Sequence, residues 1–351
     1  MTVSVRKSIL EVLRPLARII TAGSARVLMY HRFGPAGSHR RMPVDVFERQ
    51  IHYLCERYNV IALHDLIEKL TRGERLLSRC VAITIDDGYG DFHEYAYPVL
   101  KKYRVPATVY LVSGFVDQTL WLWFDAIHYM TSQAAAGEYE LSLVGRLYRT
   151  RVDDSATRNT LWETVADIGV GLTPPERSDL IASLSKQLSV QLPVTPTPEY
   201  RAMPWDVIRS MDEELIEWGG HTFSHPILAR CTPEEQFNEI SQGKLRIEEM
   251  IQRPVESFCY PNGQVGDYDQ YTIAAVKRAG FRNAVVAHGG MIESRFDRYL
   301  IERLGAPESE TDFKKCVDGV WETRRRARTG LAQLTRRSMP SSADAGGQQR
   351  Y

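Results

Sequence analysis

Six apolar runs, each ending in a polar or glycine-rich step, punctuate the chain: Arg26 to His31, Val81 to Asp86, Ala107 to Val112, Leu215 to His221, Glu256 to Tyr260 and Asn283 to Ala287. Their length and β-branched or aromatic content predict short strands. Between most of them the apolar positions recur at helical spacing. Thr232-Pro233-Glu234-Glu235 combines an N-cap, a proline at the first helical position and acids in the first turn, and predicts a helix to about Ile251. Asp91 to Tyr103 predicts another, stopped before Val105-Pro106. Strand alternating with helix is the pattern of a parallel α/β layout. The pattern places six strands and leaves a seventh unplaced.

From Val116 to Pro204 the alternation breaks. This stretch holds helical patterns, an alternating run from Tyr139 to Tyr148, and a Pro/Thr-rich link at Pro193 to Pro198. It reads as a mainly helical insertion, residues 116–204, beside the active face, ending in a stiff connection. Trp121, Trp123 and Asp125 open it. Two tryptophans there suit a buried helix face first, and a sugar-stacking face second. At the N-terminus, residues 1–25, the positions Val5, Ile9, Val12, Leu13, Leu16 and Ile20 have helical spacing, kinked at Pro15. Residues 311–339 predict a basic C-terminal helix carrying Arg324, Arg325, Arg326, Arg328, Arg336 and Arg337 with Trp321, Leu331 and Leu334. Residues 340–351 read as a disordered tail. Solvated helices explain both ends, and peripheral contact with an anionic membrane is the alternative.

Composition narrows the function classes. In 351 residues, Lys+Arg and Asp+Glu are both 44, so no global field draws this chain to nucleic acid. The 5 cysteines, Cys55, Cys80, Cys231, Cys259 and Cys316, are scattered without a Cys-x-x-Cys pair, which suits reduced thiols. Arg6, Lys7, Arg14 and Arg18 interrupt the first twenty residues, so no signal-peptide core or membrane span is read and a cytoplasmic location is expected.

Two motifs carry chemistry. Ile85-Asp86-Asp87-Gly88 sets adjacent carboxylates at the end of a strand, where one can bind a metal while its neighbour reaches a water beside it. His221 and His225, four positions apart, can converge on one ion if the backbone turns helically through them. Either motif alone has an ordinary explanation, a turn or a satisfied histidine. Together they supply an N/O ligand set with an open position and a spare carboxylate.

At these residues, and at Phe258-Cys259-Tyr260-Pro261-Asn262-Gly263, the sequence resembles the polysaccharide deacetylase family of metal-dependent carbohydrate esterases. The resemblance runs from about Arg26 to the Arg298-Tyr299-Leu300 region. It implies a distorted, incomplete (β/α) barrel of about seven strands, formed by residues 26–115 and 205–310. It implies Asp86 as general base and Asp87, His221 and His225 as ligands of a divalent ion, zinc first, with cobalt, nickel or manganese able to use the same set. It also implies Tyr260, Pro261 and Asn262 at the substrate, with a backbone N–H near Asn262 facing the oxyanion. The general acid has two candidates. His31 is similar to the Tyr-His segment of members whose motif order is circularly permuted, and His288 ends a strand-like run. One departure stands out: many members carry an arginine before the proline of the third motif, orienting the base, where this chain has Cys259-Tyr260. The implied activity is removal of N-acetyl groups from N-acetylhexosamine units of a glycan or lipid-linked saccharide. O-acetyl ester or other amide hydrolysis, and non-catalytic glycan binding, are the alternatives.

Overall fold

The computed structural model describes residues 14–327, apart from residues 39, 75 and 294. Eight parallel strands form one sheet: β1 (Arg26–Tyr30), β2 (Asn59–Val60), β3 (Cys80–Ile85), β4 (Ala107–Leu111), β5 (Ile216–Gly220), β6 (Ser257–Cys259), β7 (Asn283–Val285) and β8 (Leu304–Gly305). The path runs β7-β6-β5-β4-β3-β1-β8, with β2 pairing the start of β3. Seven strands therefore make a curled barrel wall, as expected. Two strands lie outside the six predicted: β2, and β8 at the end of the wall, whose two residues pair Leu28 and Met29. The gap to β7 is narrowed by a single parallel bridge, Val285 to Ile301.

Strand parity decides what each residue faces. Val27, Ala82, Tyr110, Cys259 and Val285 form one buried cluster inside the barrel. Their neighbours Leu28, Ile83, Val109, Phe258 and Ala284 belong to a larger cluster under the surrounding helices. Asp86 shares the parity of Ala82 and Thr84 and so ends on the interior. The predicted helix after Thr232 is present as Pro233–Ile251, opened by a reciprocal cap between Thr232 and Glu235. The stretch Asp91 to Tyr103 differs in one respect: a π-helical turn, Phe92–Ala96, precedes the α-helix Tyr97–Tyr103.

The insertion builds its own small core. Helices α1 (Trp123–Gln133), α2 (Ser155–Val170) and α3 (Pro174–Leu188) bury Ile127, Met130, Leu161, Val165, Leu180 and Leu184 against an antiparallel hairpin. The alternating run seen in the sequence is that hairpin, Gly137–Leu143 paired with Arg146–Val152. It turns through Val144 and Gly145, both at positive φ, as a two-residue turn matching strand twist requires. Trp123 packs on Gly169, where an added Cβ would come within 2.8 Å of the indole, and under the Arg177 guanidinium.

At the chain ends, buried Asp318 accepts hydrogen bonds from Arg14, Arg18, Tyr53 and Tyr58. Arg325 and Arg326 pair with Glu322. Four of the arginines at the two ends therefore serve internal ion pairs, while Leu16, Ile19 and Ile20 stay exposed. The remaining parts of the two expected terminal helices, and the tail, lie outside the described residues. Among the described residues no helix is long and apolar enough to cross a membrane.

Candidate active site

Parallel strands deliver their C-terminal ends to one rim. His31 follows β1, Asp86 and Asp87 follow β3, His221 follows β5, and Tyr260 to Asn262 follow β6. All but Pro261 line one cleft of about 500 Å³, whose opposite wall comes from the insertion through Trp123, Phe124, Asp125, His128 and Trp162.

Asp87, His221 and His225 are all buried, with one potential ligand atom from each lying within 4.8 Å of the others. Asp87 Oδ1 is 3.4 Å from His221 Nε2 and 3.6 Å from His225 Nε2. Those gaps are close to the roughly 3.3–3.5 Å that separates ligands placed about 2.0–2.1 Å from a tetrahedral centre. The hydrogen bonding suits the role, because His221 Nδ1 donates to the Cys259 carbonyl at 2.7 Å, so that loss of the other ring proton to a metal would leave Nε2 free to ligate. The three side chains thus fit a divalent ion. Burial opposes charge on His221, but Cys259 and the hydrogen-bonding partner Asp87 outweigh it and raise its pKa. Burial and the neighbouring His221 ring pull His225 down to about 3.

The two imidazoles converge without a helix. Residues 221–225 form a loop in which Thr222 and His225 are both left-handed, at φ 68° and 59°. The helical turn expected from the spacing is replaced by these two reversals, which together turn the second ring back on the first, 4.7 Å away. The loop is held from outside: the Glu239 carboxylate accepts from the Phe223 and Ser224 amides and the Ser224 hydroxyl. Gly243, one turn further along the same helix, lies against the Thr222 backbone, where a Cβ would sit 2.6 Å from the carbonyl carbon. Gly243→Ala must displace the loop or the helix. We expect at least a tenfold loss of zinc affinity with the barrel still folded, measured by competitive titration against a chelator, beside about 1–3 kcal/mol of stability.

Asp86 sits beside this cluster, 2% exposed, in a bidentate pair with Arg303: 2.7 Å from Nη1 to Oδ1 and 2.8 Å from Nη2 to Oδ2. Arg303 is buried too, and also binds Thr84 Oγ1 and the Val286 carbonyl. Burial alone would raise the Asp86 pKa, but the Arg303 charge and hydrogen bonds outweigh it and hold the carboxyl well below the usual range. Where the third motif lacks an arginine, a guanidinium thus reaches Asp86 from the residue just before β8. Sequence reasoning missed it; the available signal was weak, an arginine beside Glu302 in the short Leu300 to Leu304 segment. Cys259 packs against the pair, with Sγ 3.1 Å from Arg303 Nη2 and 3.5 Å from Asp86 Oδ2, and burial raises its pKa, in keeping with a packed strand thiol.

The two candidate acids are placed differently. His31 Nε2 lies 3.7 Å from Asp86 Oδ2, on the cleft side and about half exposed. His288 is not on the cleft wall: its Nε2 meets the Tyr268 hydroxyl at 2.9 Å, and the two rings are parallel. Tyr260 stacks on Tyr268 and donates its hydroxyl to the Tyr299 carbonyl. Asn262 is left-handed at φ 57°, its side chain bonded to Asp267, and its backbone N–H donates to none of the described residues. Asp125 was noted only as opening the insertion. It is 6% exposed on the cleft wall, and its Oδ2 accepts the Tyr89 hydroxyl at 2.5 Å. Burial pushes its carboxyl up to about 7 against the pull of Arg32.

Known proteins share this fold. Residues 74–284 match the sequence model of the polysaccharide deacetylase family. The curated Bacillus subtilis (strain 168) protein YxkH is 21% identical over 279 residues, 79% of this chain and 70% of its own. Among solved structures, the Streptococcus pyogenes deacetylase PplD in complex with acetate superposes with a TM-score of 0.55 at 16% identity, over 83% of this chain and 96% of its own. IcaB from Ammonifex degensii gives 0.54 at 16% identity, over 84% and 97%. The de-N-acetylase from Aggregatibacter actinomycetemcomitans gives 0.55 at 16% identity, over 84% and 99%. The solved structures share the barrel fold, and the match over 74–284 spans more than half of the sequence: the chain belongs to the polysaccharide deacetylase family and is a hydrolase of that type.

Proposed function

We propose that this protein removes N-acetyl groups from N-acetylhexosamine units of a glycan or glycolipid in a metal-dependent hydrolysis that releases acetate. The observation that carries the reading is the Arg303-clamped carboxylate of Asp86 standing beside the Asp87, His221, His225 cluster on the floor of one cleft. A divalent ion held by those three side chains, zinc by their chemistry, supplies Lewis acidity that polarises the acetyl carbonyl and acidifies water.

The chain's own residues do the rest. Asp86, kept ionised and in one orientation by Arg303, accepts the proton of the attacking water. The free N–H of Asn262 donates to the oxygen that becomes negative as the carbonyl turns tetrahedral. His31 gives a proton to the departing nitrogen, so that acetate and a free amine leave. His31 is open to the cleft, whereas the His288 ring is engaged by Tyr268 away from it. His31→Ala is expected to lower kcat about 10²–10⁴-fold on an N-acetyl substrate, with far less effect on an activated aryl acetate, whose leaving group needs no proton. Steady-state kinetics at saturating substrate checks it; equal losses on both would remove the acid role.

The test of the whole reading is acetate release from N-acetylated oligosaccharides and O-acetylated counterparts by protein stripped of metal and reloaded with zinc. Release that returns with zinc and prefers the amides supports it. Preference for the O-acetyl substrates would move the reading to an esterase, and silence on both from metal-loaded protein would remove it.

A further inference from the structure

The insertion supplies more than a wall. Its first helix begins directly above the metal-ligand loop: Phe124 sets its ring edge-on to His225, 5.3 Å between centroids, and Asp125, the next residue, turns to Tyr89. Tyr89 itself lies two residues beyond Asp87 and is covered by the Arg32 guanidinium, 4.2 Å above its ring. Asp125 is thus fixed relative to the reaction centre from both sides.

Only half of its carboxylate is used. Oδ2 takes the Tyr89 hydroxyl, while Oδ1 accepts no hydrogen bond from any described residue, although the side chain is more than nine-tenths buried and lines the cleft. An acceptor on the wall of the cleft can take a donor that arrives there. Beside it, Arg40 lies flat on Trp162, 3.6 Å from the ring centroid, also on the cleft wall. An acceptor next to a fork of donors is the arrangement that reads a ring bearing adjacent hydroxyl groups.

We propose that Asp125, held by Tyr89, is a specificity-determining residue whose Oδ1 accepts a hydrogen bond from a hydroxyl of the hexosamine ring bound over the reaction centre. The inference deepens the deacetylase reading and rests on it for the identity of the ligand as an acetamido sugar. It sets a requirement on the substrate: a donor hydroxyl must lie on the insertion side of the ring.

The experiment pairs a protein change with a substrate change. Zinc-loaded wild type, Asp125→Ala and Asp125→Asn are assayed on the N-acetylglucosamine trimer, on its monodeoxy counterparts, and on 4-nitrophenyl acetate, which has no sugar. Loss of one hydrogen bond to this carboxyl group predicts a fall of roughly 10- to 100-fold in kcat/KM for the trimer, mostly in KM. The same loss is expected in wild type when one particular hydroxyl is removed, with little further loss when both changes are combined. Asp125→Asn, which keeps an acceptor oxygen, is expected to recover part of the activity. The ratio of trimer to aryl acetate rates should fall with Asp125→Ala. Equal losses on both substrates, or additive losses for every deoxy sugar, would overturn the inference. Failure of wild type on both substrates would instead sink the deacetylase reading. Calorimetric binding of the trimer to zinc-loaded protein still decides the inference in that case: affinity weakened by Asp125→Ala supports it, and affinity unchanged overturns it.

Discussion

Arg303→Leu is expected to cost about 3–5 kcal/mol of stability and to lower kcat/KM at neutral pH by roughly 100-fold or more. The argument starts from burial. Asp86 and Arg303 are both shut away from solvent, so removing the cation leaves a carboxylate with no compensating charge. The sign with pH follows from linkage. The folded pKa of Asp86 is depressed, so the pair stabilises the fold fully above the unfolded carboxyl value of about 3.9, and this contribution is lost as pH falls through the folded value. In Arg303→Leu that depression is gone, and the acid limb of kcat/KM moves to higher pH. Urea unfolding at pH 7 and at acid pH measures the first effect, and a pH-rate profile the second. A variant as stable as wild type, with an unmoved acid limb, would mean that Arg303 does not control Asp86.

The second large effect separates two neighbouring carboxylates. Asp86→Asn should bind zinc like wild type and lose turnover by about 10²–10⁴-fold, because an amide cannot take the proton from water. Asp87→Asn and His225→Ala should instead lose the ion, since each removes one of three ligands around a single centre. Zinc content after dialysis, read beside acetate release, distinguishes them. Zinc retained at full occupancy in His225→Ala would place the ion elsewhere, and full turnover in Asp86→Asn would end its assignment as base.

The adjacent carboxylates and the histidine pair were legible because each lies at the end of a recognisable apolar run, and a parallel barrel brings such ends together. What closes the barrel was not. A two-residue strand such as Leu304–Gly305 has no periodicity to read, so both that strand and the arginine just before it stayed hidden. The His221 to His225 spacing was read through a helical turn, whereas left-handed Thr222 and His225 make the convergence; backbone sign is invisible in residue types that disfavour it. Asp125 was visible as a residue, but its relation to Tyr89 depends on how the insertion docks, which no local pattern encodes.

The distance along the chain between Asp86 and Arg303, 217 residues, gives the protein an order of events. During synthesis Asp86, Asp87, His221 and His225 emerge well before the cation that keeps Asp86 ionised, and β1 gains its second neighbour only when Leu304 arrives. A nascent or truncated chain ending before Arg303 holds a buried carboxylate without its partner, a state in which closing the barrel is unfavourable. Pairing Asp86 with Arg303 is thus a strongly non-local step of folding, and turnover would report that it has been completed.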